Sequence, residues 1–196
     1  MTDQLQLWQS TFGRDYTARN DLGKPERVTS WRRILDGIPI ARALEVGCNV
    51  GWNLAYLGEL GIPERFGIEP QPAAVHQARM RGHDVLPGTA FDLPFRDRWA
   101  DLVFTSGVLI HIAPADLGTA MDEIYRVSKR WIIAIEYDDP IEQEIAYRGH
   151  AGALWKRDHG AIWHARYPEL RLVRRLELHP RDGYDDCTAH VFEKVR

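Results

Sequence analysis

The stretch from Ala43 to Leu54 constrains the fold of this chain more than any other part of the sequence. A short apolar run closed by a glycine is typical of a buried parallel strand, and the leucines after the turn recur at helical spacing. Gly47 and Gly51 let the backbone turn tightly and approach a ligand, while the following helix presents unpaired N–H groups. We expect a strand, turn and helix that together cradle a small anionic or nucleotide-like ligand.

Two classes of nucleotide cofactor use such a turn, and the glycine spacing separates them. A dinucleotide fingerprint needs G-x-G-x-x-G, but its third and sixth positions, counted from Gly47, are Asn49 and Trp52. The turn instead follows an acid, Glu45, on a strand that is otherwise apolar, and a buried carboxylate is costly unless it is paired. Either Glu45 only accepts hydrogen bonds from the turn, or it fixes a loop that holds a charged amino-acid group. A nicotinamide-dependent (NAD) oxidoreductase is disfavoured and stays as the alternative enzyme.

These residues resemble the first motif of the class I S-adenosylmethionine-dependent methyltransferases, which is an acid, one residue and then alternating glycines. Glu45, Gly47 and Gly51 match it, and Asn49, which tolerates a left-handed backbone, replaces the middle glycine. The resemblance implies S-adenosylmethionine as cofactor, S-adenosylhomocysteine as product and no metal. It also implies a Rossmann-like α/β fold with a seven-stranded, mostly parallel sheet and an antiparallel last strand. The turn and the start of the helix would hold the methionine portion of the cofactor, through Glu45, Gly47, Cys48, Asn49, Gly51 and Asn53.

Length, composition and charge limit the other possibilities. The chain has 196 residues, of which 44% are hydrophobic, so it can bury one good core. We expect one domain over 1–196, with an N-terminal helical arm over 1–37 and a substrate-pocket insertion over 138–168. The formal charge of −3 argues against a nucleic-acid partner. No apolar run reaches about 18 residues and the N-terminus is too polar for a signal peptide, so we expect a cytoplasmic protein with no membrane partner. We expect it to be a monomer or a homodimer.

Acidic residues follow two further predicted strands. Glu69, followed by Pro70, ends the second strand, where a carboxylate can accept both hydroxyls of a ribose. Asp92 lies in the A-F-D-L-P-F sequence over 90–95, which resembles the methyltransferase segment that contacts adenine. The resemblance implies that Asp92 lies near the adenine amino group and that Ala90 and Phe91 lie beside the ring. The alternative is that Asp92 only caps a turn.

The most continuous apolar run covers 99–112 and is interrupted at Ser106 and Gly107. We expect a fourth strand up to Thr105 and a loop that lies over the cofactor from Ser106 onward. His111 would then lie at the mouth of the site, where a histidine can take a proton from a hydroxyl or amine at neutral pH. The alternative is a histidine that is packed and hydrogen-bonded in the core.

The N-terminal arm supplies three more candidates. Leu5 and Trp8 recur at the spacing of an amphipathic helix. An arm of this kind closes over the cofactor in many small-molecule methyltransferases. By that resemblance, Tyr16, Arg19 and Asn20 are expected to reach the cofactor carboxylate.

The insertion over 138–168 is expected to build the acceptor pocket, because insertions at this edge of such sheets usually do. Tyr147 and Arg148 are its candidates for the catalytic site, together with His111. A domain that only bound a cofactor or a partner would have little need for these groups to converge. That non-catalytic domain remains a further alternative.

Several segments together resemble one narrower family, the methyltransferases associated with pseudaminic acid biosynthesis. They lie in the same order along nearly the whole chain: Phe12–Tyr16, Gly47–Gly51, Gly107–Ile112, Glu136–Tyr137, Tyr147–Gly149 and Lys156–Asp158. The resemblance implies methyl transfer to a small-molecule acceptor, in sugar or secondary-metabolite biosynthesis.

Overall fold

The computed structural model describes residues 3–195, except for the side chain of Asp3. Two short helices begin this part of the chain, α1 (Asp3–Gln9) and α2 (Thr11–Arg19), and α3 (Glu26–Ile34) leads towards the sheet. The break between α1 and α2 has a local cause, because the Ser10 hydroxyl accepts the Phe12 N–H at 3.2 Å and caps α2. Of the expected helical arm, Met1 and Thr2 lie outside the described residues.

The remaining elements follow in chain order: β1 (Arg42–Val46), α4 (Trp52–Glu59), β2 (Glu64–Glu69), α5 (Pro72–Met80), β3 (Asp84–Pro87), β4 (Ala100–Ser106), α6 (Pro114–Val127), β5 (Ser128–Glu136), β6 (Gln143–Glu144), β7 (Trp155–Lys156), α7 (His159–Arg166), β8 (Leu170–Leu178) and β9 (Cys187–Lys194). Single 3-10 turns at Leu109–His111 and Pro180–Asp182 precede α6 and β9. Proline at the first turn of both α5 and α6 suits helix starts, where its missing N–H costs nothing.

Seven strands form one sheet in the order β3-β2-β1-β4-β5-β9-β8. The pairs among β1 to β5 are parallel, whereas β9 runs antiparallel to both β5 and β8. The prediction of a mostly parallel seven-stranded sheet with an antiparallel last strand is therefore confirmed. The hairpin from β8 to β9 explains the one reversed strand, since a short connection can join only antiparallel neighbours.

Helices cover both faces of the sheet, so the strands are apolar on both sides. In β1, Ala43 packs into the core beneath α3 and α4, and Leu44 packs into the core beneath α6 and α7. β4 alternates in the same way, with Phe104 in the first of these cores and Val103 in the second. Trp31 fills one core and Trp163 fills the other, and each is at most 1% exposed. These two layers hold the strand ends in a fixed arrangement.

The segment over 138–168 is only partly irregular. A short hairpin pairs Gln143 with Lys156 and Glu144 with Trp155, and α7 follows. A second turn inside it closes by reciprocal backbone hydrogen bonds between Tyr147 and His150, of 2.9 and 3.0 Å. The segment thus has its own local structure and packs beside the carboxyl end of β4.

Candidate functional site

A cavity of about 410 Å³ lies at the carboxyl ends of β1, β2 and β4. The crossovers that follow β1 and β4 leave in opposite directions, and ligands bind at such a switch point in open α/β sheets. The arm and the insertion supply other walls. Most of the predicted site residues line the cavity: Tyr16, Arg19, Asn20, Glu45, Gly47, Cys48, Asn49, Asn53, Glu69, Pro70, Ala90, Phe91, Ser106, Gly107, His111, Tyr147 and Arg148.

The turn after β1 has the left-handed backbone that its glycines suggest. Gly47, Asn49 and Gly51 have φ values of 74°, 47° and 85°. A Cβ at Gly47 would lie 2.5 Å from Val108 Cγ2, so only glycine fits this close contact with the loop after β4. Gly51 does not itself line the cavity and instead begins α4. Asparagine at position 49 therefore keeps the shape of the turn that the middle glycine would give.

Glu69 connects this turn to the N-terminal arm. Its Oε2 accepts the Asn49 N–H at 2.9 Å, and its Oε1 accepts the Gln71 N–H at 2.8 Å. The Gln71 amide in turn donates to the backbone carbonyls of Trp8 and Ser10, at 3.0 and 3.1 Å. Burial raises the pKa of Glu69 to about 7. Sequence analysis missed Gln71, which holds the arm against the corner after β2.

Glu45 is the most unusual polar group in the cavity. Its Oε1 accepts a hydrogen bond of 2.6 Å from the Asn53 amide, whose own oxygen accepts the Trp31 indole N–H at 3.2 Å. Its Oε2 is buried and has no hydrogen-bond partner among the described residues. Burial raises the pKa of Glu45 to about 8. An oriented acceptor oxygen without a partner, on a cavity wall, suits a ligand with a positively charged donor.

Two residues that sequence analysis did not select lie near Glu45. The Tyr184 hydroxyl is buried and has no hydrogen-bond partner in the described part of the chain. The guanidinium carbon of Arg27 lies 4.1 Å from the centroid of the Tyr184 ring, and its Nε donates to the Gly183 carbonyl at 2.8 Å. Both side chains line the cavity. No local pattern could reveal this pair, because its members come from opposite ends of the sequence.

The structure does not place Asp92 at the cavity, where the resemblance predicted a contact with adenine. This side chain is exposed and is not among the described residues that line the cavity, whereas Thr89, Ala90 and Phe91 are. The reason is an antiparallel bridge between Thr89 and Asp92, which turns the segment back before Asp92 reaches the site. Thr89 is thus the polar side chain that this segment offers to a ligand.

His111 lies in the 3-10 turn after β4, and only 9% of it is exposed. Its Nδ1 lies 2.6 Å from the Ala153 carbonyl oxygen. Because a carbonyl can only accept, Nδ1 carries the hydrogen and Nε2 keeps a lone pair. Burial lowers the pKa of His111 to about 4, so the ring is neutral at pH 7. A neutral imidazole on the cavity wall, with a lone pair at Nε2, can accept a hydrogen bond from a hydroxyl or amine.

A buried carboxylate at the end of β5 holds the loop that carries His111. Glu136 accepts hydrogen bonds from the Thr105 hydroxyl at 2.7 Å and from the N–H groups of Val108 and Ile110 at 3.3 Å. Burial raises the pKa of Glu136 to about 7. Its position at the end of a strand could be predicted from the sequence, whereas its hydrogen bonds to this loop depend on the tertiary fold.

The aromatic roof is a group of six rings from the arm, the loop after β4 and the insertion, of which Trp8, Tyr16, His111 and Tyr147 line the cavity and Phe12 and His150 pack beside them. Their centroids lie 4.6 Å apart for Trp8 and His111, 5.2 Å for His111 and Tyr147, and 4.9 Å for Phe12 and His150. Arg148 lies beside this roof, exposed and with a left-handed φ of 52°. The three residues proposed from sequence as catalytic are therefore brought to one end of the cavity.

In the arm, the Asn20 amide donates to the Tyr16 carbonyl at 2.9 Å and so helps to end α2. Arg19 and Asn20 are exposed at the edge of the cavity, while Tyr16 is half-buried. Burial raises the pKa of Tyr16 well above its usual range, so its hydroxyl keeps its proton. Of these three predicted residues, Tyr16 is the most buried.

Comparison with known proteins agrees with the methyltransferase class of fold that the strand order and the glycine turn indicate. Residues 44–131 match the family described as "Methyltransferase domain". An uncharacterized methyltransferase from Synechocystis sp. is 31% identical over 93 residues, which are 46% of this chain and 43% of that protein. The alignment thus spans less than half of this curated relative. These matches support the predicted class I methyltransferase domain with S-adenosylmethionine as cofactor, and the narrower pseudaminic acid family stays a prediction.

Solved structures share the fold at low sequence identity. The 1,6-didemethyltoxoflavin-N1-methyltransferase of Burkholderia thailandensis, solved with bound 1,6-didemethyltoxoflavin and S-adenosylhomocysteine, superposes with a TM-score of 0.75 and 14% identity, over 97% of this chain and 88% of that one. A putative methyltransferase of Haloferax volcanii, in complex with the Trm112 activator, gives a TM-score of 0.71 and 17% identity, over 93% and 96%. These likenesses establish the Rossmann-like methyltransferase fold.

Two features are absent from residues 3–195. No helix in this range has the length and apolar character needed to cross a bilayer. Within the same range, no group of three or more His, Cys, Asp or Glu side chains is placed to hold a metal ion.

Proposed function

We propose that this chain transfers a methyl group from S-adenosylmethionine to a small-molecule acceptor, as a single domain in which the arm over 1–37 and the insertion over 138–168 complete the pocket. One observation carries the proposal: Glu45 keeps a buried oxygen that has no hydrogen-bond partner within residues 3–195, beside the glycine turn of a methyltransferase fold. A carboxylate oriented by Asn53 but left with one open acceptor suits the α-ammonium group of an amino-acid ligand.

The residues around the turn fit the rest of the cofactor. Arg27 and the Tyr184 hydroxyl supply a cation and a donor for the carboxylate of the methionine portion, and Tyr16 lies on the same side in the arm. Glu69, whose two oxygens already accept backbone N–H groups, retains lone pairs for the ribose hydroxyls. Thr89, Ala90 and Phe91 would border the adenine.

The chemistry makes modest demands on the protein. When bound, the cofactor supplies an electrophilic methyl carbon on a positively charged sulfur. The protein must align a nucleophile with that carbon and remove the proton of the nucleophile. In our proposal, His111 Nε2 takes that proton, and Tyr147 and Arg148 hold the acceptor under the aromatic roof.

The acceptor class is a hydroxyl- or amine-bearing small molecule from sugar or secondary-metabolite biosynthesis. The cavity has a volume of about 410 Å³ and is lined by aromatic rings together with Arg148 and Asp185, which supports a polar small molecule as the ligand. The resemblance to the pseudaminic acid methyltransferases makes sugar-related compounds the first acceptors to try.

Calorimetric titration with S-adenosylhomocysteine, with NAD in a parallel cell, tests the cofactor. We expect micromolar binding of the first ligand and none of the second. Binding of NAD alone would overturn the proposal. Release of S-adenosylhomocysteine is then followed over a panel of hydroxylated sugars, amino sugars and aromatic heterocycles, with His111→Gln as the inactive control for the methyl-transfer signal.

A further inference from the structure

We propose that Arg157, a buried arginine of the insertion, is a positioning residue that fixes the orientation and tautomer of His111. The inference rests on the proposed function, in which His111 takes the proton of the acceptor. Arg157 has 0% exposure, which is rare for an arginine. A guanidinium without water is costly unless its N–H groups and its charge are used. The contacts of Arg157 therefore indicate its role.

The main contact is with the backbone that carries His111. Arg157 Nη2 donates to the Ile112 carbonyl at 3.1 Å, directly after the 3-10 turn Leu109–His111. At the other end of that turn, Glu136 accepts the N–H groups of Val108 and Ile110. A carboxylate at the amino end and a cation at the carboxyl end both complement the dipole of the turn. The turn is thus held between two buried ionisable groups, Glu136 at its amino end and Arg157 at its carboxyl end.

The insertion acts on the ring of His111 as well as on its backbone. Ala153, four residues before Arg157, supplies the carbonyl that accepts the Nδ1–H of His111. Glu142 Oε2 lies 3.2 Å from Arg157 Nε in an ion pair, while among the described residues Nε and Nη1 form no hydrogen bond, so Nη2 makes the contact that orients the guanidinium. The backbone contact and the ring contact therefore come from one hairpin. Loss of the Arg157 contact would let Ile112 and Ala153 move relative to each other, and His111 would lose its single tautomer.

The test measures the imidazole directly, so that it does not depend on a known acceptor. Nitrogen-15 NMR of the histidine side chains is compared between the wild type, Arg157→Met, which keeps an apolar chain of similar length, and Arg157→Lys, which keeps a cationic donor. In the wild type we expect His111 to carry its hydrogen only on Nδ1. In Arg157→Met we expect two tautomers and a histidine that titrates closer to its usual pH, with partial recovery in Arg157→Lys. S-adenosylhomocysteine affinity should change less than about twofold, because Arg157 is not among the described residues lining the cavity.

Arg166→Met is the matched control, because Arg166 is an exposed arginine on α7 paired with Asp122 of α6. It should leave the His111 signals unchanged. Once an acceptor is found, Arg157→Met should lower kcat by about 10- to 100-fold, as expected for a displaced catalytic group.

Unchanged His111 signals in Arg157→Met, with only a lower unfolding temperature, would overturn the positioning role. If that variant does not fold, Arg157→Gln, which is uncharged and shorter, and Glu142→Gln carry the same comparison, and an unaltered tautomer in both would be equally decisive. A tautomer change in Arg157→Met, together with normal turnover by His111→Gln, would leave the positioning role intact and refute the base role in the proposed function.

Discussion

Binding of the cofactor should release protons from Glu45, and this gives the sharpest test of the site. The free carboxyl has one oxygen on Asn53 and the other buried without a described partner, and its pKa is raised to about 8. At pH 7 a group with that pKa is about 90% protonated. A ligand ammonium at Oε2 favours the ionised form and lowers the pKa towards its usual range. About 0.9 proton should therefore leave for each ligand bound at pH 7, falling to about 0.1 at pH 9.

The assay is calorimetric titration of S-adenosylhomocysteine in phosphate and in Tris buffers, whose different ionisation enthalpies reveal the number of protons released. Glu45→Gln should remove this release and weaken binding by roughly 10- to 150-fold, the loss of a charged hydrogen bond worth about 1.5–3 kcal/mol. Titration with 5′-methylthioadenosine is the control, because it keeps the adenosine but lacks the amino-acid group. It should release fewer protons, and its affinity should be similar in the wild type and in Glu45→Gln.

Equal binding enthalpies in the two buffers at pH 7 would refute the role of Glu45 as the ammonium partner. That role would also be refuted if Glu45→Gln released as many protons as the wild type. A proton release shared equally by 5′-methylthioadenosine would move the effect to Glu69, since that carboxyl also has a raised pKa and faces the ribose in our proposal.

Four further predictions follow from individual contacts. His111→Gln should lower kcat by about 10²- to 10⁴-fold while leaving S-adenosylhomocysteine affinity almost unchanged, and turnover at the wild-type rate with saturating substrates would exclude the base role. Arg27→Met should weaken S-adenosylhomocysteine binding by about 1.5–3 kcal/mol and leave 5′-methylthioadenosine binding intact; equal losses for both ligands in calorimetry would contradict a contact with the carboxylate. Asp92→Asn should change the dissociation constant by less than about twofold, because Asp92 is exposed and outside the cavity lining, and a tenfold loss would restore its predicted adenine role. His159→Asn should reduce the fall in the free energy of unfolding between pH 7 and pH 4, measured by urea unfolding. Burial, aided by the nearby Arg157, lowers the pKa of His159 to about 3, so in this pH range the unfolded chain binds a proton that the folded chain does not bind. Parallel plots of unfolding free energy against pH for the two proteins would disprove this.

Most of the fold could be predicted because it depends on local patterns. The glycine turn, the alternation of apolar strands with amphipathic helices and the final pair of strands are all visible within a few residues of one another. Asn49 shows how far such reasoning reaches, since its tolerance of a left-handed backbone correctly predicted that it could replace a glycine. The boundaries were less accurate: the fourth strand was expected to end at Thr105, whereas β4 ends at Ser106.

The candidate site was most directly predictable where its residues lie at the carboxyl ends of the strands. The carboxyl ends of parallel strands meet at one edge, so Glu45, Glu69 and Ser106 could be placed together from their positions alone. Asp92 shows where reasoning from sequence position fails, because the bridge between Thr89 and Asp92 turns this residue away from the cavity.

The sequence by itself thus determined the class of fold, the cofactor turn and the neighbourhood of His111, because periodicity and turn chemistry are properties of short segments. Only the tertiary structure decided which polar atoms lack partners and which charges brace the site. The open oxygen of Glu45, the Arg27–Tyr184 pair and the hold of Arg157 on Ile112 each depend on side chains that are distant in sequence. Their contacts arise from the packing of the arm, the insertion and the last hairpin against the sheet, and packing of that range leaves no local signature.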